Sequence, residues 1–163
     1  RDPSGQNRAR LAGEKENTRK ALAQFLRVTP EEIVITRNTS EANNMVSSGL
    51  ELKAGDEVIV FHDNHPSNLV AWNEKAKRFG FTVVEIAQKN PHPGMEYYLD
   101  AYKNAITPKT KVLTFTHLTS TVGDLFPAKE LCALAKEHGV MSLVDGAQTD
   151  LGTISLTRFR RRS

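Results

Sequence analysis

Short apolar runs rich in β-branched residues alternate with segments of helical period along this chain, and that alternation leaves few folds open. The strand-like runs are Glu57 to Phe61 (EVIVF), Phe81 to Ile86, Lys111 to Thr116 (KVLTFT) and Val140 to Val144. A fifth short run, Glu32 to Thr36, is also read as a strand. Between them lie helical patterns from about Ala9 to Leu26, Ser40 to Leu50, Ser67 to Phe79, Tyr97 to Ala105 and Pro127 to His138. Leu22, Phe25 and Leu26 share a face of the first, which stops near Pro30. The last is the best signalled, with proline in its first turn, Leu131, Leu134 and Ala135 on one face, and Gly139 as stop. Strands alternating with helices imply an α/β fold, a mostly parallel sheet with helices on both faces.

In such sheets a ligand sits outside the carboxyl ends of the strands. That rule selects four polar clusters: Asn38-Thr39-Ser40, His62 to Asn68, His117 to Ser120, and Asp145 to Gln148. Thr39 and Ser40 open a helix, where free N–H groups and hydroxyls make an anion site; plain N-capping by either hydroxyl is the competing reading. In His62-Asp63-Asn64-His65, a metal site using His62, Asp63 and His65 lacks a further ligand at familiar spacing. The readings that stand against it are a surface loop in which Pro66 and Ser67 start a helix, and His65 as a flat partner for an aromatic ligand. Asp145 ends a buried strand, and a desolvated carboxylate needs a partner. A protonated ring nitrogen would serve, and so would a turn with Gly146. Gln148 either donates to a ligand oxygen or caps the turn.

Composition narrows the class. A chain of 163 residues with 39% hydrophobic and 25% charged side chains is long enough for a real core. No run approaches the roughly 18 apolar residues of a membrane span, and the polar start Arg-Asp-Pro-Ser shows no export signal, so a cytoplasmic location is expected. The start also lacks methionine, which leaves an earlier export signal open. The net charge of +3 is local: Arg158, Arg160, Arg161 and Arg162 supply it, and without them the balance is slightly acidic. With no aromatic platform or second basic stripe, neither a nucleic-acid nor a membrane partner is expected. Cys132 sits beside Leu131 in a helix and reads as a small core residue.

Taken together, TRNTSEANN, HPSNLVAW, THLTSTVG and LVDGAQ resemble the class V aminotransferase family of enzymes dependent on pyridoxal 5'-phosphate, a group that includes cysteine desulfurases and isopenicillin-N-epimerase-like proteins. The resemblance runs from about Arg8 to Leu156 and implies the large domain of a fold-type-I enzyme over residues 1–156, with a basic tail over 157–163 that no longer resembles the family. It implies that Thr39 and Ser40 hold the cofactor phosphate, His65 stacks on the pyridine ring, Asp145 pairs with the ring nitrogen and Gln148 bonds the ring hydroxyl oxygen. Ser120 stands where desulfurases often carry asparagine, and Asn38 replaces a frequent glycine. The family's Schiff-base lysine is expected about twenty residues or more after Gln148, yet the fifteen residues that follow contain no lysine. The chain is therefore expected to be a fragment, inactive alone, of a homodimeric enzyme that acts at the α-carbon of an amino acid. HPSNLVAWNEKAKRFGF leans towards the epimerase-like branch. A non-catalytic remnant that binds cofactor or a partner is the alternative, and a dinucleotide-binding enzyme is disfavoured because no Gly-x-Gly-x-x-Gly follows a strand.

Overall fold

The structure, a computed structural model, describes residues 4–149. The basic tail over 157–163 lies outside the described residues. The chain divides into two compact units, Arg1–Arg37 and Asn38–Ser163.

In the first unit, helix α1 spans Gly5–Leu26, with Ser4 as its N-cap and Arg27 as a left-handed C-cap. The amide of Arg27 returns to the carbonyls of Ala23 and Gln24, which closes the last turn. Only Ala23 is buried, and Phe25 is 58% exposed, so the face shared by Leu22, Phe25 and Leu26 is not a core face within this unit. A 3-10 turn, Pro30–Glu32, follows, with Glu32 receiving the amide of Thr29 at 2.7 Å. The run Glu32 to Thr36 is not a strand, contrary to its composition. Ile33 does adopt extended dihedrals. Extended backbone becomes a strand only when a neighbour supplies ladder hydrogen bonds, and none does so among the described residues.

The second unit is built on a sheet. Helix α2 (Thr39–Gly49) leads to β1 (Glu57–Phe61), α3 (Pro66–Phe79), β2 (Thr82–Ile86), α4 (Met95–Ala105), β3 (Thr110–Thr116), α5 (Ala128–Glu137) and β4 (Met141–Asp145). All pairings are parallel and the order is β2-β1-β3-β4. The sequence boundaries lie within one or two residues of these, and β1 coincides. Gly80 and Gly139 stop their helices in the left-handed conformation, at φ of 78° and 68°.

Because successive strand residues face opposite ways, the apolar runs furnish two cores. Val58, Val60 and Val112 point to Trp72 of α3 and to Phe81. Ile59, Phe61, Leu113 and Phe115 point the other way, to Tyr98 and Tyr102 of α4 and to Leu131 and Ala135 of α5. Cys132 belongs to this second core. The polar tips of the large rings are satisfied. Trp72 Nε1 donates to Asn68 Oδ1 at 2.9 Å, and the Tyr102 hydroxyl donates to the Thr114 carbonyl at 3.2 Å. Burial pushes the Tyr102 phenol well above its ordinary pKa, so it stays a donor. The result is a sheet whose strand ends are set in register, with Thr116 beside Asp145.

Candidate functional site

A cavity of about 250 Å³ lies at the carboxyl ends of the strands, and Thr39, Ser40, His65, Ser120, Asp145 and Gln148 all line it. Residues more than a hundred positions apart meet there. Asn38, Ser67 and Ala147, which lie in the selected polar clusters without an assigned contact of their own, complete the wall with Thr116, which lies outside them. The volume falls just below the roughly 300 Å³ at which pockets for drug-sized ligands begin. One ring with one phosphate suits that space, and a dinucleotide does not.

Three walls follow β1, β3 and β4; the fourth is the start of α2, reached without a preceding strand. Neither Thr39 nor Ser40 is the N-cap. Asn38 takes that place, accepting the Glu41 amide on Oδ1 at 2.9 Å. The two hydroxyls therefore sit inside the first turn beside the positive end of the helix dipole. Asn38 has φ of −167°, extended backbone open to any residue, so its replacement of glycine imposes no strain.

Most polar groups of residues 62–68 find partners within the chain, while Asp63 Oδ2, Asn64 Nδ2 and Asn68 Nδ2 are buried without one among the described residues. His62 Nδ1 lies 2.5 Å from Glu85 Oε1, while Asp63 accepts from the Thr121 hydroxyl. Asn64, buried, accepts the Thr116 amide at 2.9 Å and the Thr116 hydroxyl at 3.1 Å. His65 caps α3, its Nδ1 accepting the Ser67 amide at 3.2 Å with the Ser67 hydroxyl at 2.8 Å. His62, Asp63 and His65 thus turn to separate partners, and no group of three metal-ligating side chains occurs among the described residues. Asp63 and Asn64 instead clamp the segment that carries Ser120.

Asp145 is the most constrained group of the site, only 3% exposed at the end of β4. Its Oδ2 accepts from Asn43 Nδ2 at 2.8 Å, and its Oδ1 accepts the Ala147 amide at 3.2 Å. Asn43 was missed by sequence reasoning. It lies in the interior of α2 and carries no local signal of a link to a strand end far along the chain. Gln148 and Ser120 are both exposed at the rim.

His117 joins the loops behind the cavity. Its amide donates to the Asp145 carbonyl at 2.8 Å, and its own carbonyl accepts the Phe126 amide at 2.8 Å. The residue is 4% exposed, and burial lowers its pKa from 6.5. A histidine held neutral on folding takes up protons more readily when unfolded. Its contribution to stability is thus complete above pH 6.5 and is lost as pH falls from there through the lowered folded value. Urea unfolding midpoints measured across that window are expected to drop with acid in the native chain, with a shallower drop in His117→Gln. Equal slopes would show that His117 does not carry the effect.

Over residues 4–153 the chain matches the aminotransferase class-V family. The chain belongs to that family. It is 38% identical over 138 residues to a probable cysteine desulfurase of Synechocystis sp., covering 82% of this chain and 32% of that protein. A cysteine desulfurase of Synechococcus elongatus is 32% identical over 147 residues, covering 86% of this chain and 23% of that one. The chain therefore spans about a third or less of the length of these relatives. Among solved structures, the cystine C–S lyase C-DES, in complex with its reaction product cysteine persulfide, superposes with a TM-score of 0.83 at 28% identity, covering 94% of this chain and 41% of that one. The desulfurase CsdA of Escherichia coli gives 0.74 at 29% identity, covering 91% and 37%. These likenesses agree with the parallel sheet and its flanking helices. No helix among the described residues is long and apolar enough to cross a membrane.

Proposed function

We propose that the cavity holds pyridoxal 5'-phosphate and that the chain contributes the cofactor-holding part of an enzyme acting at the α-carbon of an amino acid. The observation that carries this reading is the placing of a buried carboxylate, Asp145, in one small cavity with the Thr39 and Ser40 hydroxyls at a helix start. That donor set fits the group: an anion-binding turn for a phosphate, a carboxylate for a protonated ring nitrogen, and an imidazole with a fixed ring plane. When bound, the cofactor serves as an electron sink for the substrate carbon.

Each side chain then has a task. Thr39 and Ser40 donate to phosphate oxygens alongside the free amides of the first turn. His65 is held by Ser67 with Nδ1 as acceptor and lies flat against the ring. Asp145 keeps the ring nitrogen protonated, Gln148 donates to the ring hydroxyl oxygen, and Ser120 adds a hydroxyl at the rim. Among the branches of the family, removal of sulfur from a cysteine-like substrate has the better support, because the relatives above are named as desulfurases and a cystine lyase. The epimerase-like leaning of HPSNLVAWNEKAKRFGF finds no such support in those names. The homodimer belongs to the same proposal, and exposed Met45, Val70, Val122 and Leu125 offer apolar surface for it. A non-catalytic cofactor binder shares every feature of the cavity and differs only in turnover.

Among the described residues no lysine lines the cavity. The chain of 163 residues is therefore expected to bind pyridoxal phosphate weakly, at one saturable site, with inorganic phosphate competing. It is expected to show no desulfurase, transaminase or epimerase turnover, and borohydride should trap no single lysine. Equilibrium dialysis followed by peptide mass spectrometry tests this. Stoichiometric trapping on one lysine contradicts it, as does phosphate-insensitive binding.

A further inference from the structure

The Asp145 carboxylate has two roles to reconcile: it is gripped from behind, and it lines the cavity in front. Asn43 does the gripping. It is 5% exposed, its Nδ2 donates to Asp145 Oδ2 at 2.8 Å, and it does not line the cavity itself. Because a carboxylate only accepts, the amide must present its NH₂ group to it, which fixes the orientation of the asparagine.

The Ala147 amide reaches the other oxygen at 3.2 Å. Two donors on two oxygens, one from a helix and one from the turn after the strand, set the plane of the carboxyl group. A carboxylate offers about four lone-pair positions, so about two remain for a ligand. We propose that Asn43 is a positioning residue that aims the free lone pairs of Asp145 at a pyridine nitrogen in the cavity. This rests on the reading of Asp145 given under the proposed function. The grip on phosphate stands apart from it, because the Thr39 and Ser40 turn is fixed by its own helix ladder and by the Asn38 cap.

That separation makes the proposal testable with two ligands. One is pyridoxal phosphate; the other is its 1-deaza analogue, in which the ring nitrogen is replaced by carbon. Dissociation constants for both are measured by dialysis on the native chain and on Asn43→Ala. Loss of an orienting hydrogen bond to a charged group is expected to weaken pyridoxal phosphate about tenfold and to leave the analogue within about twofold. Should the alanine variant lose both ligands together with its thermal transition, the near-isosteric Asn43→Leu decides. It fills a similar volume but offers Asp145 no donor, and the same selective loss is expected.

Equal weakening of both ligands in a folded variant would mean that Asn43 merely supports the structure, and would overturn the proposal. An unchanged preference for pyridoxal phosphate in a folded variant overturns it too, while sparing the Asp145 reading. If the native chain does not prefer pyridoxal phosphate over the analogue, or binds neither, the Asp145 reading itself fails and the proposal with it.

Discussion

Asp145→Asn is expected to weaken pyridoxal phosphate binding by about one to two orders of magnitude while leaving the fold intact. The replacement is isosteric, and its amide oxygen still accepts from Asn43 or from the Ala147 amide. What disappears is the negative charge facing a protonated ring nitrogen. Hydrogen bonds to charged groups contribute about 1.5–3 kcal/mol, or about 10–100-fold in a dissociation constant. The site is 3% exposed, so water does not make up the loss. Dialysis on the variant checks the affinity, and a thermal melt checks the fold. An affinity within about twofold of the native chain would mean that Asp145 faces no cation in the cavity. Its burial would then be a structural feature shared with Asn43 and nothing more.

Trp72→Ala is expected to bring the largest loss of stability in the chain, about 3–5 kcal/mol. The indole is fully buried, edge-on to Phe81 at 6.4 Å, and packed on Val58, Val60 and Val112. Removing it opens a cavity at the centre of one face of the sheet. It also strips the partner from Asn68, itself 1% exposed, whose Oδ1 accepts the indole N–H. Domain stabilities are about 5–15 kcal/mol, so the variant is expected to be unfolded or nearly so at moderate urea. The urea midpoint read by far-ultraviolet circular dichroism checks this. A shift corresponding to less than about 1 kcal/mol would place Trp72 outside the element that holds α3 to the sheet.

Much of this architecture is legible in the sequence. EVIVF and KVLTFT announce themselves because a strand covered on both faces carries apolar residues at successive positions, not only at alternate ones. Gly80 and Gly139 announce their helix stops because the left-handed turn favours glycine. The rule about strand ends selects the clusters that hold His65, Ser120, Asp145 and Gln148. Thr39 and Ser40 are reached through a strand reading of Glu32 to Thr36 that the structure does not bear out. The choice of single residues within the clusters comes from the family resemblance. What stayed hidden depends on partners supplied from far along the chain. Ile33 to Thr36 has strand composition but no ladder among the described residues. Three residues in a row, Asn38, Thr39 and Ser40, are each able to cap α2, and only the backbone path decides that Asn38 does so. Asn43 meets Asp145 across the whole βαβ succession, a contact no local pattern encodes. Asn64 is similar: its buried grip on Thr116 depends on β1 and β3 lying side by side.

The most direct measurement is a titration of the isotopically labelled chain with pyridoxal phosphate, followed by amide chemical shifts. The expected result is a set of shifts at Ser40, Glu41, Ala147 and Gln148 that saturate together on a single binding curve, with excess inorganic phosphate reversing those of the α2 turn first. Shifts scattered over the lysine-bearing surface without saturation, or a saturable set that leaves the α2 turn and Asp145 to Gln148 unmoved, would contradict a cofactor site in this cavity.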